Sequence, residues 1–168
     1  MGRAGLRALI ALGAIIPACS PRVTGPCPPE MPTNNALARP DGFPMYYSAL
    51  NESRRGAITS ADQWQAFWSD VTANRSPVLA PPAVDFHENM VLIAALGARP
   101  SGGYLVFIDE VIRDDVALLE VRVREWSPGK TCVVPAVLTS PVDAVLVTKN
   151  GNSLSFIEDQ RVHECKCR

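Results

Sequence analysis

Apolar positions along the chain change their period twice. In "SADQWQAFWSDVTA", Trp64, Phe67, Trp68 and Val71 fall at i, i+3, i+4 and i+7, one stripe of a helix. Ser60, followed three positions later by Gln63, supplies a capping box at the start. So much aromatic area on one stripe fits core packing rather than a ligand platform. Beyond the proline-rich "SPVLAPPAV" the pattern turns to strands. "NMVLIAAL" is apolar without alternation, the mark of a central strand covered on both faces. "GYLVFIDEVI" follows, then a turn at Arg113-Asp114-Asp115. In "LLEVRVRE", Leu119, Val121 and Val123 alternate with Glu120, Arg122 and Arg124, which predicts one face in and one face out. "SPGK" is the next turn, and "VDAVLVTK" and "NSLSFIE" are expected to form a hairpin about Asn150-Gly151. The expected fold is α+β: one N-terminal helix packed on a mostly antiparallel β-sheet or sandwich of about five to six strands, mostly hairpin-linked.

The folded domain is expected over residues 43–168, and the preceding segment reads differently. Arg3 and Arg7 form a positive start, and Ala8 to Ile16 are apolar or small. That run is too short for a bilayer span, which takes about 20 residues, but it has the length of a secretory h-region. It ends in "IPACS", which is similar to the bacterial lipobox, although Pro17 stands where that pattern has a small or hydroxyl residue. The likeness implies a signal peptide over residues 1–18 and a lipid on Cys19 that anchors the chain to a membrane. Residues 19–42 carry six prolines in 24 positions and read as an extended tether. The expectation is an exported protein of the cell envelope, lipid-anchored or else periplasmic or secreted.

Export changes the reading of the cysteines. With Cys19 set aside, Cys27, Cys132, Cys165 and Cys167 remain, an even number suited to disulfides in an oxidising compartment. Cys132 with Cys165 or Cys167 is the preferred pairing, and Cys27 would take the remaining one. A metal reading of "HECKC" through His163, Cys165 and Cys167 is weaker, because zinc sites space paired cysteines by two or more residues. The 16 Lys+Arg and 17 Asp+Glu nearly cancel and are spread evenly, so nothing in the charge argues for nucleic acid or an acidic membrane surface.

"LGARPSGGYLVF" is the most unusual stretch. Gly97 and Gly102 have the spacing of a phosphate-binding loop, yet Gly103 replaces its lysine and Tyr104 its Ser/Thr. The residues that follow are β-branched and aromatic, not helical. Hydrolytic chemistry is equally poor in signals: two histidines, His87 and His163, and no nucleophile elbow. Paired carboxylates at Asp109-Glu110 and Asp114-Asp115 flank a turn, without the spacing of a calcium loop. The chain is therefore read as non-catalytic, with no cofactor. Two readings of the glycine-rich stretch stay open. Arg99, Pro100, Ser101, Gly102, Gly103 and Tyr104 could form a partner-binding loop, since glycine lets backbones approach closely and Arg and Tyr anchor interfaces. Alternatively Gly102 and Gly103 only turn a hairpin, with Tyr104 packing inward as the first strand residue.

The order of these segments resembles the C-terminal domain of the PrcB family. The likeness runs through "FHENMVLIAALGARPSGGYLVFIDEVI", "LEVRVREWSPGKTC" and "TSPVDAVLV", about residues 60–158. It is carried by Gly97, Arg99, Pro100, Ser101, Gly102, Gly103, Tyr104, Pro128, Gly129 and Pro141, with Ser140 inserted between Thr139 and Pro141. The resemblance implies an exported accessory subunit, without catalysis of its own, that partners a surface or secreted protease. "RPSGGY" is also similar to the "NPTTGY" type of loop in chagasin-like protease inhibitors, which implies direct inhibition as the alternative. A purely structural envelope lipoprotein is the third possibility.

Overall fold

The computed structural model describes residues 37–77, 80–113, 118–149 and 153–165. The expected signal peptide, Cys19, Cys27, most of the tether, the turns at Asp114-Asp115 and Asn150-Gly151, and Cys167 lie outside them. The elements are β1 (Arg54–Ile58), α1 (Ala61–Thr72), β2 (Asn89–Ala95), β3 (Leu105–Arg113), β4 (Leu118–Pro128), β5 (Val142–Thr148) and β6 (Ser153–His163). They form two three-stranded sheets, ordered β1-β2-β5 and β3-β4-β6.

The helix forms where its stripe predicts. Ser60 Oγ accepts the Gln63 N–H (3.3 Å), and Gln63 Oε1 accepts the Thr59 N–H (2.9 Å), so two donors at the helix start are satisfied. Trp64, Phe67, Trp68 and Val71 are buried against the first sheet, each such side chain contributing roughly 1.5–3 kcal/mol of apolar burial. Phe43 closes the aromatic cluster, its ring centroid 5.9–6.5 Å from those of Trp64, Phe67 and Trp68. The Trp64 indole N–H donates to the Pro82 carbonyl (2.9 Å), as a buried indole requires.

β2 is the spine, flanked on both sides and buried from Met90 to Ala95. Its period of two divides it between layers. Val91, Ile93 and Ala95 join the helix cluster, while Met90, Leu92 and Ala94 meet Val106, Ile108, Leu119, Val121 and Val123 of the second sheet. The molecule is thus a helix on a sheet on a sheet, an α+β arrangement in which three of the four strand pairings are antiparallel. β3 and β4 form a hairpin with a bulge between Ile108 and Glu110.

Two expectations fail, for physical reasons. The hairpin between β5 and β6 does not form. One edge of β5 pairs with β2, and the other is taken by the N-terminal segment, where Met45 and Val142 exchange both backbone bonds (2.8 Å each) and Leu146 N–H reaches the Ala38 carbonyl (2.8 Å). With no free edge on β5, β6 crosses to the second sheet and pairs with β4 in parallel, from Leu118↔Ser153 to Pro128↔His163. Nor are the strands mostly hairpin-linked: among the described residues the consecutive strands that pair are β1 with β2, which the helix separates in sequence, and β3 with β4. β1 is an addition, an edge strand on β2 whose sequence "RRGAI" carries one large apolar residue.

The N-terminal segment is bolted down by charge. Asp143 lies on β5 with its carboxylate fully buried between the sheets. Arg39 meets it with two bonds of 2.8 Å, the bidentate geometry a guanidinium favours. The Ile108 N–H at the β3 bulge donates to the same carboxylate (2.8 Å), and Arg39 also donates to the Ile108 carbonyl (3.1 Å). Burial pushes the Asp143 carboxyl above its ordinary value, while Arg39 and the N–H groups of Ile108 and Ala144 pull it back.

Candidate functional site

The glycine-rich stretch does not turn a hairpin. It carries the chain from the end of β2, in the first sheet, to the start of β3, in the second. Gly97 has φ 73°, and a Cβ there would lie 2.6 Å from the Glu52 carbonyl carbon and 2.7 Å from the Asn51 oxygen, so only glycine fits. Gly103 has φ 85° and would strike Val134 and Pro128. Gly102 has an ordinary φ but packs flat against Pro135, with a Cβ position 3.0 Å from that ring. The glycines therefore serve both positive φ and close approach, Gly97 to Asn51-Glu52 and Gly102 and Gly103 to the segment of residues 128–139.

That segment fixes the loop. Arg99 and Thr139 exchange backbone bonds in both directions (2.7 and 3.1 Å), the Gly102 N–H donates to the Pro135 carbonyl (2.9 Å), and the Thr139 hydroxyl donates to the Ser101 carbonyl (2.8 Å). The segment is in turn tied to the end of β6. A disulfide joins Cys132 to Cys165, one of the two preferred pairings. The Gly129 N–H donates to the His163 carbonyl (2.8 Å), and the Thr131 hydroxyl to Glu164 (2.7 Å). The disulfide thus reaches the loop through one continuous chain of contacts.

Side chains of the loop divide between surface and core. Pro100 is exposed and Arg99 half-buried, its guanidinium 5.9 Å from the centre of the Tyr104 ring, within cation–π range. Tyr104 also packs against the inter-sheet core, just before β3 begins at Leu105. Arg99 lines two neighbouring clefts. The larger, of 320 Å³, has Ser53, Arg54, Arg55, Glu125, Glu158 and Gln160 for its other walls. The smaller, of 160 Å³, includes Leu96, Tyr104, Glu125, Trp126 and Arg161. Between the sheets Arg55 reaches from β1 to Glu125 on β4 and to Glu158 on β6 (2.8 Å). On the far face of the second sheet Arg124 lies between Asp109 (2.6 Å) and Asp159 (3.3 Å). Arg161, and to a lesser extent Arg124, hold the Asp159 carboxyl below the ordinary aspartate range.

Next to the loop the surface is unusually apolar. Val133, Val137 and Leu138 are 78 %, 41 % and 73 % exposed, and Tyr47, whose backbone pairs with Ser140, is 54 % exposed. Backbone pairing sets Arg99 beside Thr139 and Tyr47 beside Ser140, so three chain segments run side by side. Sequence patterning did not single out Val133, Val137 and Leu138. Their signal was present, a run of large apolar residues cut by Pro135 that no strand or helix period explains.

The histidines do not come together. His87 is exposed before β2, its N–H donating to Asp85 (2.9 Å). His163 lies beyond the other end of the same strand, about 20 Å along it, its ring edge-on to Trp126 at 6.1 Å. Trp126 Nε1 and His163 Nε2 are closed off from solvent and have no hydrogen-bond partner among the described residues. Cys165 is held in the disulfide, and no cluster of metal-ligating side chains occurs among the described residues.

No curated protein and no solved structure matches the chain. The stretch that holds β2, the loop, the β3–β4 hairpin, the 128–139 segment and β5 does find a counterpart: residues 90–148 match the model of the PrcB C-terminal family.

Proposed function

We propose that the chain is a non-catalytic, exported binding module, an accessory subunit that docks on a protease through the face around residues 99–104. The observation that carries this reading is the loop itself. Its backbone is locked to the 128–139 segment, it presents Arg99 on Tyr104, and it adjoins four well-exposed large apolar side chains. Monomeric surfaces scatter such side chains singly; grouped beside a rigid loop, they mark a contact. The protease as partner rests on the PrcB C-terminal match, and the membrane attachment through Cys19 rests on the leader.

The test is recovery of partners from an envelope extract with the native chain and with an Arg99→Ala/Ser101→Ala double variant. A protease or its precursor should be recovered with the native chain and depleted at least several-fold with the variant. Identical recovery would remove the loop from the contact. Dose-dependent slowing of a papain-type enzyme by the purified chain would replace the accessory role with direct inhibition.

A further inference from the structure

We infer that Arg99 is a receptor for a carboxylate, and that the partner presents an extended segment in which an acidic side chain stands next to a large apolar one. The inference rests on the reading of this loop as the contact face.

Four arginines line the two clefts, and three are already neutralised. Arg54 pairs with Asp70 (2.9 Å), Arg55 with Glu125 and Glu158, and Arg161 with Asp159 (2.9 Å). Arg99 makes no ion pair among the described residues; its guanidinium donates to its neighbour's carbonyl, that of Ala98 (3.2 Å), and stands over Tyr104. It is also the residue common to both clefts whose charge is unanswered. Holding such a side chain in place normally costs rotamer freedom on binding. Here the backbone is pinned by Thr139 through bonds in both directions, and the head group is held by the Ala98 carbonyl and lies over Tyr104, so part of that ordering is already done.

The chemistry of the walls selects the anion. A guanidinium takes a carboxylate or a phosphate in the same forked geometry. Glu125 and Glu158 share the larger cleft, and although Arg55 offsets them, they disfavour a dianion more than a single negative charge. A protein carboxylate is therefore the better occupant. The apolar half of the preference comes from the adjoining strips. Neighbouring extended segments lie about 5 Å apart, which brings Tyr47 and Leu138 within one or two strand spacings of the Arg99 backbone. An extended peptide that sets its acid on Arg99 can lay an adjacent Leu, Ile or Phe on that surface.

The test uses the purified chain, labelled with nitrogen-15, and two capped peptides, Ac-Ala-Leu-Glu-Leu-Ala-NH2 and the same peptide with Gln in place of Glu. Saturable amide shifts at Ala98 to Gly103 and at Thr139 and Ser140 are expected with the first. Its affinity should exceed that of the Gln peptide about tenfold or more, the usual worth of a charged hydrogen bond. Arg99→Gln should abolish the difference while leaving the thermal melt unchanged, and Arg99→Lys should keep part of it. Equal binding of both peptides, or no shift at millimolar peptide, overturns the inference. So does displacement by inorganic phosphate at concentrations where the Glu peptide itself competes, which would mark a general anion site. A photo-crosslinking side chain at Pro100 separates the two readings. Partner capture that survives Arg99→Gln keeps the contact face and discards the carboxylate; no capture at all discards both.

Discussion

The two long edges of the sandwich are built on opposite plans. At one edge β5 and β3 are sealed by the N-terminal segment, and Arg39 and Asp143 make a buried, bidentate pair that also satisfies the bulge at Ile108. At the other edge Arg55 of β1 reaches across to β4 and β6, where part-buried Arg55 and Glu125 meet the more exposed Glu158. Similar side chains thus do different work. Burial makes the first cluster a structural bolt, because a charge left alone there has no water to turn to. In the second cluster Arg55 and Glu125 are part-buried but Glu158 is 38 % exposed, so a charge left without its partner there can still reach water and its loss costs less.

The comparison can be broken at the bolt. Arg39→Ala leaves the Asp143 carboxylate buried without its counter-ion and should destabilise the fold by about 3–5 kcal/mol, measured as a lowered urea midpoint. The pH response gives the sign. Burial raises the Asp143 carboxyl in the folded state, so the folded chain binds more protons than the unfolded one between the two pKa values. Stability from this group is therefore greatest at low pH and is lost as pH rises through the folded value. Without Arg39 that slope should steepen, and acidification from neutral pH should restore part of the loss.

The disulfide comes next. Its cysteines are 33 residues apart, and replacing both with Ser should cost about 2–4 kcal/mol by the chain-entropy argument. It should also speed hydrogen exchange at the Gly102 amide, whose acceptor is the Pro135 carbonyl on the freed segment. Unchanged exchange there would separate the disulfide from the loop. At the other edge Arg55 is part-buried and also donates to the Ala95 carbonyl (2.6 Å), so Arg55→Ala should cost about 1–3 kcal/mol; a loss as large as that of Arg39→Ala would erase the distinction between the edges. The smallest effect belongs to Asp159. Its folded carboxyl lies below the ordinary value, so its stabilisation is present above the unfolded pKa and is lost as pH falls through the folded one. Asp159→Asn should therefore lower stability slightly at neutral pH, leave it unchanged at acid pH where the carboxyl is already protonated, and so flatten the acid limb of the stability curve.

What could be read from residue order follows from how local each signal is. The helix and β2 were legible because their periods lie within a dozen residues, and Leu119, Val121 and Val123 face inward as their alternation requires. β1 was hidden because Arg54, Arg55 and Gly56 carry no apolar alternation; the strand exists because β2 offers an edge. Asn150-Gly151 is a strong local turn signal, yet Met45 and Ala38 occupy the edge of β5 that such a hairpin needs, and nothing near residue 150 announces that. The glycines were recognisable as special, but their reason, Glu52 and Pro135 pressing on the backbone, lies 45 and 33 residues from Gly97 and Gly102. The open cleft was invisible, since Arg55 meets Glu125 and Glu158 across 70 and 103 residues.

Parallel pairing of β4 with β6 has a practical consequence for anyone cutting this chain. The span from 90 to 148 ends before β6 begins and starts after the helix. Excised by itself it would bare the outer side of β4, strip the aromatic cover from Val91 and Ile93, and leave Asp143 facing no guanidinium. Such a fragment is expected to clump rather than fold, so the unit to express is the one that retains both Arg39 and His163.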